Sequence, residues 1–292
     1  MSTMTLTVPK SEAAPRRRRM RQGYGRPLLE VVMVLVTVAY LFPLYIMLTM
    51  SFKAPVEIAE SSVALPKGLF LDNYATAWSQ ANLGRALLNS ALITSVSITL
   101  VVIIGAMAGY AIARGSRRTS TPKLMLFMLG LMIPGQLGMV PLYNLMRDVG
   151  LLQSYWSLII FYAGSMMPMT VFLYTGFLRA QSSTYEEAAR IDGAGWWRSF
   201  WHVVFPLLRP VTGTVIIVNA INIWNDFLTP LLYVSGSVNR TLPVAVFSFQ
   251  GEFASEWGLI FAGMVIAAMP VLIVYFFLQR HIIHGFAGGL KG

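Results

Sequence analysis

The chain has 292 residues, of which 56% are apolar or aromatic and 12% are charged, and its mean hydropathy is +0.63. Soluble domains carry about 25% charged residues, so this composition excludes an ordinary soluble domain and indicates a chain embedded in a membrane. Cysteine is absent, which excludes a disulfide framework, a thiol nucleophile and a cysteine metal site. The net charge of +10 would suggest nucleic acid in a soluble protein, but the placement of the charges argues against nucleic-acid binding.

Six apolar runs of the sequence are long enough to cross a bilayer. A hydrocarbon core about 30 Å thick requires about 20 apolar residues in a helix. The runs cover residues 29–51, 88–113, 124–146, 155–178, 210–233 and 257–279. We predict an all-α membrane protein with six transmembrane helices. The third run is the most interrupted, by Pro134-Gly135 and Pro141, so its helix should be kinked or broken, and the methionine-rich segment around Pro168 should distort the fourth.

The basic residues between the runs predict how the chain is oriented. Loops on the cytoplasmic side of a membrane are enriched in Lys and Arg. If the N-terminus is inside, the outside segments hold Lys53, Lys67, Arg85, Arg147 and Arg240, and the other 17 of the 22 basic residues lie inside. We therefore predict that both termini are cytoplasmic. Residues 1–27 should form a basic, mobile cytoplasmic tail, and residues 28–292 a six-helix transmembrane domain.

No catalytic constellation is visible in the sequence. A phosphate-binding Walker loop needs glycines before a Lys that Ser or Thr follows, and the only such Lys, Lys10, is preceded by Pro9. His281 and His284 have no third ligand near them, which disfavours a metal site. We therefore predict that the chain is not an enzyme and carries no catalytic residue, no metal and no cofactor.

The polar segment 179–209, between the fourth and fifth runs, is the most informative part of the chain. Glu187-Ala188-Ala189, followed by the helix-ending pair Asp192-Gly193, predicts a short helix, a tight turn and a second amphipathic helix. Gly193 can adopt the left-handed conformation that ends the first helix, and Pro206 and Pro210 redirect the chain into the fifth run.

This segment suits docking against a partner protein. Alanines let a helix approach a groove closely, and Glu186 and Glu187 offer carboxylates to a basic partner site. An ordinary solvated helical hairpin is the alternative. The predicted docking residues are Tyr185, Glu186, Glu187, Ala188, Ala189, Asp192, Gly193, Ala194, Phe200 and Pro206.

The segment resembles the cytoplasmic loop through which permease subunits of ATP-driven importers engage their ATPase. That loop has Glu-Ala-Ala, three residues, Gly, nine residues and Ile-x-Leu-Pro, and here Val203 and Phe205 stand at the Ile and Leu positions. The rest of the chain resembles the second permease of maltose-type carbohydrate importers. That similarity is carried by Pro43, Ser51-Phe52-Lys53, Asn73-Tyr74, Asn89-Ser90, residues 224–228, Pro230-Leu231-Leu232, Thr241-Leu242-Pro243, Pro270 and the tail 279–292.

The resemblance implies a subunit of a type I ATP-binding-cassette importer in the bacterial cytoplasmic (inner) membrane. Its implied partners are a second permease, two ATP-binding subunits that hold ATP and Mg²⁺, an extracytoplasmic substrate-binding protein, a di- or oligosaccharide substrate and membrane lipid. An importer of the same build for a glycerol phosphodiester or a polyol is the alternative within transport. An ion-coupled secondary carrier would need buried ionisable residues, of which only Asp226 is available, and it leaves the docking segment unexplained.

The fifth run carries four polar residues that are candidates for a translocation path: Asn219, Asn222, Asn225 and Asp226. In a continuous helix Asn219, Asn222 and Asp226 would fall within about 60° of one another, with Asn225 further round. Polar groups in membrane spans usually face the bundle interior or a water-filled path. Amides and a carboxylate suit sugar hydroxyls, but the same residues could instead hold this helix to its neighbours.

Overall fold

The computed structural model describes residues 25–250 and 256–288, and it describes no side chain beyond Phe276. Most of the predicted basic tail and the side chains of His281 and His284 therefore lie outside the described residues. The chain divides into two compact units, Met1–Tyr45 and Ile46–Gly292. In the first unit, the described residues are the larger part of one long helix, in which the Thr37 hydroxyl donates to the Met33 carbonyl at 2.8 Å.

The described residues are helical throughout, apart from turns and one isolated bridge residue. The α-helices are α1 (Gly25–Ser51), α2 (Pro55–Glu60), α3 (Asp72–Gln80), α4 (Leu83–Arg114), α5 (Arg117–Met132), α6 (Met139–Asp148), α7 (Tyr155–Ser165), α8 (Met167–Ala180), α9 (Thr184–Ile191), α10 (Trp196–Ser199), α11 (Phe205–Leu207), α12 (Arg209–Asn225), α13 (Leu228–Val234), α14 (Leu242–Phe247) and α15 (Trp257–Gly288). A 3₁₀ turn at Gly135–Gly138 precedes α6, and a π-turn at Phe200–Val204 joins α10 to α11.

Three of the described helices are single segments long and apolar enough to cross a membrane, at Leu29–Ser51, Leu83–Arg114 and Trp257–Val274. Three further candidates are pairs of helices bent by 90°, 42° and 75°, which makes six spans if each pair counts as one. These pairs are Arg117–Met132 with Gly135–Asp148, Tyr155–Ser165 with Met167–Ala180, and Trp196–Leu207 with Arg209–Asn225.

Prolines account for the two bends that the sequence predicts. The third span is broken beside Pro134, as expected, and the fourth is bent where Met166 separates α7 from α8. A proline cannot donate to the carbonyl four residues earlier, and its ring collides with that carbonyl. Pro43 and Pro270, by contrast, lie inside α1 and α15 without ending them.

The long helix α4 lies at the centre of the second unit. One buried core packs its middle and final turns against α7, α8, α12 and the π-turn, while a second core packs its first turns against α3, α14 and α15. Gly105 and Gly109 let α8 approach closely, because a Cβ added to either would lie 2.4 Å from the Thr170 methyl or 2.6 Å from the Tyr174 Cβ. Small residues four apart are a common device for packing membrane helices.

Three of the residues that carry the family resemblance form hydrogen bonds with connecting segments near the N-terminal end of α4. The Asn73 amide donates to the carbonyls of Ser51 and Lys53, at 3.0 and 2.9 Å. The Asn89 amide donates to the carbonyls of Val238 and Arg240, at 3.0 and 2.9 Å. The Ser90 hydroxyl accepts from the Leu242 N–H at 2.8 Å. Their local role is to satisfy buried backbone groups where the chain leaves the helices.

Candidate functional site

The predicted helix, turn and helix are all present between α8 and α12. Helix α9 ends at Ile191, and Gly193 follows with a φ of +79°. The Ala194 N–H donates to the Ala189 carbonyl at 2.9 Å, and the Gly193 N–H donates to the Arg190 carbonyl at 3.0 Å. These two bonds form the Schellman pattern that ends a helix with a left-handed residue. The predicted conformation of Gly193 is therefore confirmed.

The two glutamates of α9 have different surroundings. Glu186, predicted to face a partner, instead points inward, with 3% of its side chain exposed, and forms an ion pair with Arg114 at the end of α4. Arg114 Nε lies 3.0 Å from both carboxylate oxygens, and Nη2 lies 2.9 Å from Oε1. That prediction is wrong for Glu186 because a cation of the same chain takes its charge. Glu187 is exposed and accepts a hydrogen bond from the Ser183 hydroxyl.

The outward face of α9 is apolar and has an alanine at its centre. Tyr185, Ala188 and Ile191 are all exposed and recur at intervals of three residues, which places them on one side of the helix. Ile191 is 86% exposed, and with Tyr185 and Ala188 it forms a contiguous apolar patch of the kind that marks protein interaction sites. Ile191 is not among the predicted docking residues, although its spacing of three residues from Ala188 was the available signal.

The second docking helix consists of α10, the π-turn and α11 (Trp196–Leu207). Aromatic contacts attach it to the end of α4. Phe200 is fully buried, and its ring centroid lies 5.8 Å from that of Tyr110 on α4. Its inclusion in the docking surface is therefore wrong, since it forms part of the core. Pro206 has no N–H to donate to the carbonyl four residues earlier, and the helix widens before it into the π-turn, in which the Phe205 N–H bonds to the Phe200 carbonyl.

The fifth apolar run does not form the continuous helix on which the predicted shared face of its polar residues depended. Helix α12 ends at Asn225, and Asp226 is extended, with φ −69° and ψ 125°. Pro230 lies four residues after Asp226, where a continuing helix would bring its ring against the Asp226 carbonyl. The predicted shared face of Asn219, Asn222 and Asp226 is therefore wrong, because Asp226 lies beyond the helix.

Two of the four polar residues hold helices together. Asn219 is buried, and its amide donates to the Thr170 hydroxyl on α8 at 3.2 Å. Asp226 is half-buried and accepts from the Tyr162 hydroxyl of α7 at 3.0 Å. Its other oxygen accepts from the Thr229 N–H at 3.3 Å, and Asp226 thereby caps the first turn of α13.

The other two polar residues, Asn222 and Asn225, are exposed. Within the part of the chain that the structure describes, the one hydrogen bond of each side chain goes to its own helix, at the carbonyls of Val218 and Ile221. Each amide oxygen is therefore available to a solute or to another chain. Asn225 also borders an open cavity of about 380 Å³ beside the α12–α13 break. Trp224, Phe227, Phe247 and Gln250 line this cavity as well.

The partners of Glu186, Asp226 and Asn219 could not be predicted from the sequence. Arg114 counted there only as one of many loop cations, and it lies 72 positions from Glu186 in the chain. Tyr162 lies 64 positions from Asp226, and Thr170 lies 49 from Asn219. No local pattern signals such pairs, because the fold alone brings them together. The described residues contain no group of three or more His, Asp or Glu that could hold a metal ion.

Comparison with known proteins identifies the family. Residues 101–287, which include the docking helices and α12, match the model of the binding-protein-dependent transport system inner membrane component. The probable starch degradation products transport system permease protein AmyC of Thermoanaerobacterium thermosulfurigenes is 36% identical over 90% of this chain and 95% of its own. The melibiose/raffinose/stachyose import permease protein MelC of Bacillus subtilis is 34% identical over 91% of this chain and 96% of its own.

A solved structure extends the similarity to the fold. The crystal structure of a bacterial transporter of the ATP-binding-cassette type, involved in the import of the acidic polysaccharide alginate, contains a chain that superimposes with a TM-score of 0.76. The two chains are 21% identical, and the match covers 87% of this chain and 95% of the other. The fold is the all-α type I permease fold, and the chain belongs to the family of binding-protein-dependent transport system inner membrane components.

Proposed function

We propose that this chain is a permease subunit of an ATP-binding-cassette importer that moves a di- or oligosaccharide across the bacterial inner membrane. The observation that carries this proposal is the exposed, alanine-centred face of α9, which Gly193 ends and α4 supports. The sequence holds no phosphate-binding loop, so an ATP-driven transporter built on this chain must obtain its motor from another subunit. Helix α9 is the surface on which we expect that motor to dock.

The proposed complex contains a second permease, two ATP-binding subunits that hold ATP and Mg²⁺, and an extracytoplasmic binding protein. The name of the family supports dependence on a binding protein. The excess of Lys and Arg on the side of segment 179–209 supports cytoplasmic termini and a cytoplasmic docking segment. The face opposite α9 would then meet the binding protein.

The proposed substrate class follows from the relatives, whose names specify starch degradation products and the sugars melibiose, raffinose and stachyose. The cavity beside the α12–α13 break is consistent with a sugar, because it combines aromatic side chains with the amides of Asn225 and Gln250. Binding sites of this kind are mostly apolar, with a few polar groups that fix orientation. A glycerol phosphodiester or a polyol is the competing solute.

Within the proposed path, we assign solute contact to Asn222 and Asn225 and helix attachment to Asn219 and Asp226. The first two expose amides that can both donate to and accept from hydroxyl groups. The last two are engaged with Thr170 and Tyr162. Of the four path candidates predicted from the sequence, two therefore remain as proposed solute contacts.

Reconstitution tests the proposal. The complex should be isolated in mild detergent through a tag on this chain, its subunits identified, and the proteins inserted into liposomes. We expect ATP-dependent uptake of labelled raffinose or maltotriose only when all partners are present. Preferential uptake of a glycerol phosphodiester would change the substrate class. Uptake by the isolated chain, driven by a proton or sodium gradient, would overturn the proposal in favour of a secondary carrier.

A further inference from the structure

We propose that Arg114 is a positioning residue that fastens the docking helix α9 to α4 and α8, so that the three helices move as one body. This inference rests on the proposed function, since it concerns how a displacement of α9 by an ATPase would reach the membrane helices. The segment that joins α8 to α9 is three residues long and exposed for the most part. Without a brace, such a segment could absorb the displacement by bending.

The geometry at Arg114 is that of a brace across this junction. The guanidinium donates to the Glu186 carboxylate on α9, to the Leu178 carbonyl at 2.8 Å and to the Gln181 carbonyl at 3.2 Å. Leu178 belongs to the last turn of α8, and its carbonyl also accepts from the Gln181 N–H at 3.2 Å. One planar cation therefore binds the end of α8, the linker and the start of α9 together.

The electrostatics of the two helix ends favour the same arrangement. The cation lies against the C-terminal end of α8, which carries partial negative charge, and Glu186 lies in the first turn of α9, where partial positive charge accumulates. Only 17% of the Arg114 side chain and 3% of the Glu186 side chain are exposed, so water screens the pair weakly. A lysine could preserve the charge but not the three-way contact, because it has no planar fork of donors.

The attachment continues along α4 into the membrane. Gly105 and Gly109 lie about two and a half and one and a half turns before Arg114. They bring α4 so close to α8 that a Cβ at either position would collide with α8 side chains. At 1.5 Å per residue, the contacts from Gly105 to Arg114 extend over about 13 Å of α4. This is long enough to prevent the two helices from tilting independently.

Helix α8 carries the displacement on to the proposed path. The Tyr174 hydroxyl donates to Thr212 at 3.0 Å, and the Asn219 amide donates to Thr170 at 3.2 Å. Both bonds join α8 to α12, the helix that exposes Asn222 and Asn225. We infer that a movement of α9 reaches these amides through Arg114, α8 and α12.

The test compares matched variants in the reconstituted complex by the ratio of sugar taken up to ATP hydrolysed. Glu186→Gln keeps the shape of the side chain but loses its charge, and Arg114→Lys keeps the charge but loses the fork. We expect each variant to lower the ratio about tenfold while the complex assembles normally. Arg117→Lys is the matched control, since Arg117 is exposed and its side chain has no ion pair among the described residues, and it should leave the ratio unchanged.

A reversible cross-link separates force transmission from folding. The chain has no cysteine, so Arg114→Cys with Glu186→Cys gives one defined thiol pair. A reducible bis-methanethiosulfonate reagent as long as the two lost side chains should restore the ratio, and reduction should remove it again. The same reagent on either single cysteine should restore nothing.

The outcomes are distinguishable from failure of the proposed function. Absence of uptake by the unmodified complex would reject that function. Wild-type ratios in Glu186→Gln and Arg114→Lys, or no recovery on cross-linking, would reject the brace. If the Arg114 and Glu186 variants all failed to assemble while Arg117→Lys assembled, the pair would have only a folding role, and the inference would also be rejected.

Discussion

Two carboxylates mark two different joints in this protein. Glu186 is buried and forms an ion pair with Arg114, whereas Asp226 is half-buried and accepts one hydroxyl and one long backbone hydrogen bond. Among the described residues, no Lys or Arg forms an ion pair with Asp226. Neutralised, fully bonded charges favour a single geometry, and partly satisfied ones leave room for another. The comparison suggests a fixed joint at the docking helix and an adjustable one at the α12–α13 break.

The largest expected effect comes from removing the cation of the fixed joint. Arg114→Ala leaves Glu186 buried without a partner, which should lower the free energy of unfolding by about 3–5 kcal/mol. Thermal unfolding of the complex in detergent would measure this change. Adding Glu186→Gln to Arg114→Ala should recover part of the loss, because the unpaired charge disappears. A double variant as unstable as the sum of the two single ones would contradict the pairing.

The next effect concerns the turn that ends the docking helix. Gly193→Val forces a β-branched residue to a φ of +79°, at a cost of about 1–3 kcal/mol, and should abolish substrate-stimulated ATPase activity without preventing membrane insertion. Gly195→Val is the matched control. Neither glycine has an atom within 4 Å of an added Cβ, and Gly195 has an ordinary φ of −67°. Equal losses in both variants would show that volume, not backbone conformation, matters.

A smaller change is expected at the adjustable joint. Tyr162→Phe removes one hydrogen bond from Asp226 and should cost about 1 kcal/mol. Asp226→Asn should cost less, because the amide oxygen can still accept from the Thr229 N–H while the amide NH2 donates to the Tyr162 hydroxyl, which can turn to accept. If Asp226→Asn nevertheless changed the transport rate or the substrate preference, the charge itself would act in the path. Wild-type kinetics in that variant would leave Asp226 a purely structural role.

The smallest effect on stability belongs to the exposed amides. Asn222→Ala and Asn225→Ala should alter the free energy of unfolding by less than about 0.5 kcal/mol but lower sugar uptake or change its selectivity. Asn219→Ala should instead lower the free energy of unfolding and leave the sugar selectivity unchanged, since Asn219 bonds to α8 and is 3% exposed. Unfolding and uptake measured on the three variants check this division. Identical profiles for all three would remove it.

The sequence predicted those features that local rules determine. Long apolar runs predicted the membrane helices, the Pro and Gly residues within the third run predicted that its helix is broken, and Asp192-Gly193 predicted the turn that ends α9. The break at Asp226 was within reach of the same rules, because Pro230 lies four residues downstream. The break was missed because the angles between the polar residues were calculated for an unbroken helix.

The remaining features depend on which helices are neighbours. The inward orientation of Glu186 follows from Arg114, and the burial of Phe200 follows from Tyr110, both of which lie on α4. Neither α9 nor the second docking helix contains a local signal for the side that faces α4. Amphipathic patterns are weak in such short helices, so the division between core and docking surface required the fold.

Single-cysteine cross-linking tests most directly the claim that α9 is the surface to which the ATPase binds. Because the natural chain has no cysteine, Tyr185→Cys and Ile191→Cys each place one thiol on the outward face of α9. Val238→Cys places one at the end of the molecule that carries Asn89. All three side chains are at least 60% exposed. In the assembled complex, a maleimide–benzophenone reagent attached to each cysteine should, on illumination, join the ATP-binding subunit to the cysteines at 185 and 191 but not at 238. Cross-linking of that subunit at 238, with none at 185 and 191, would contradict the account.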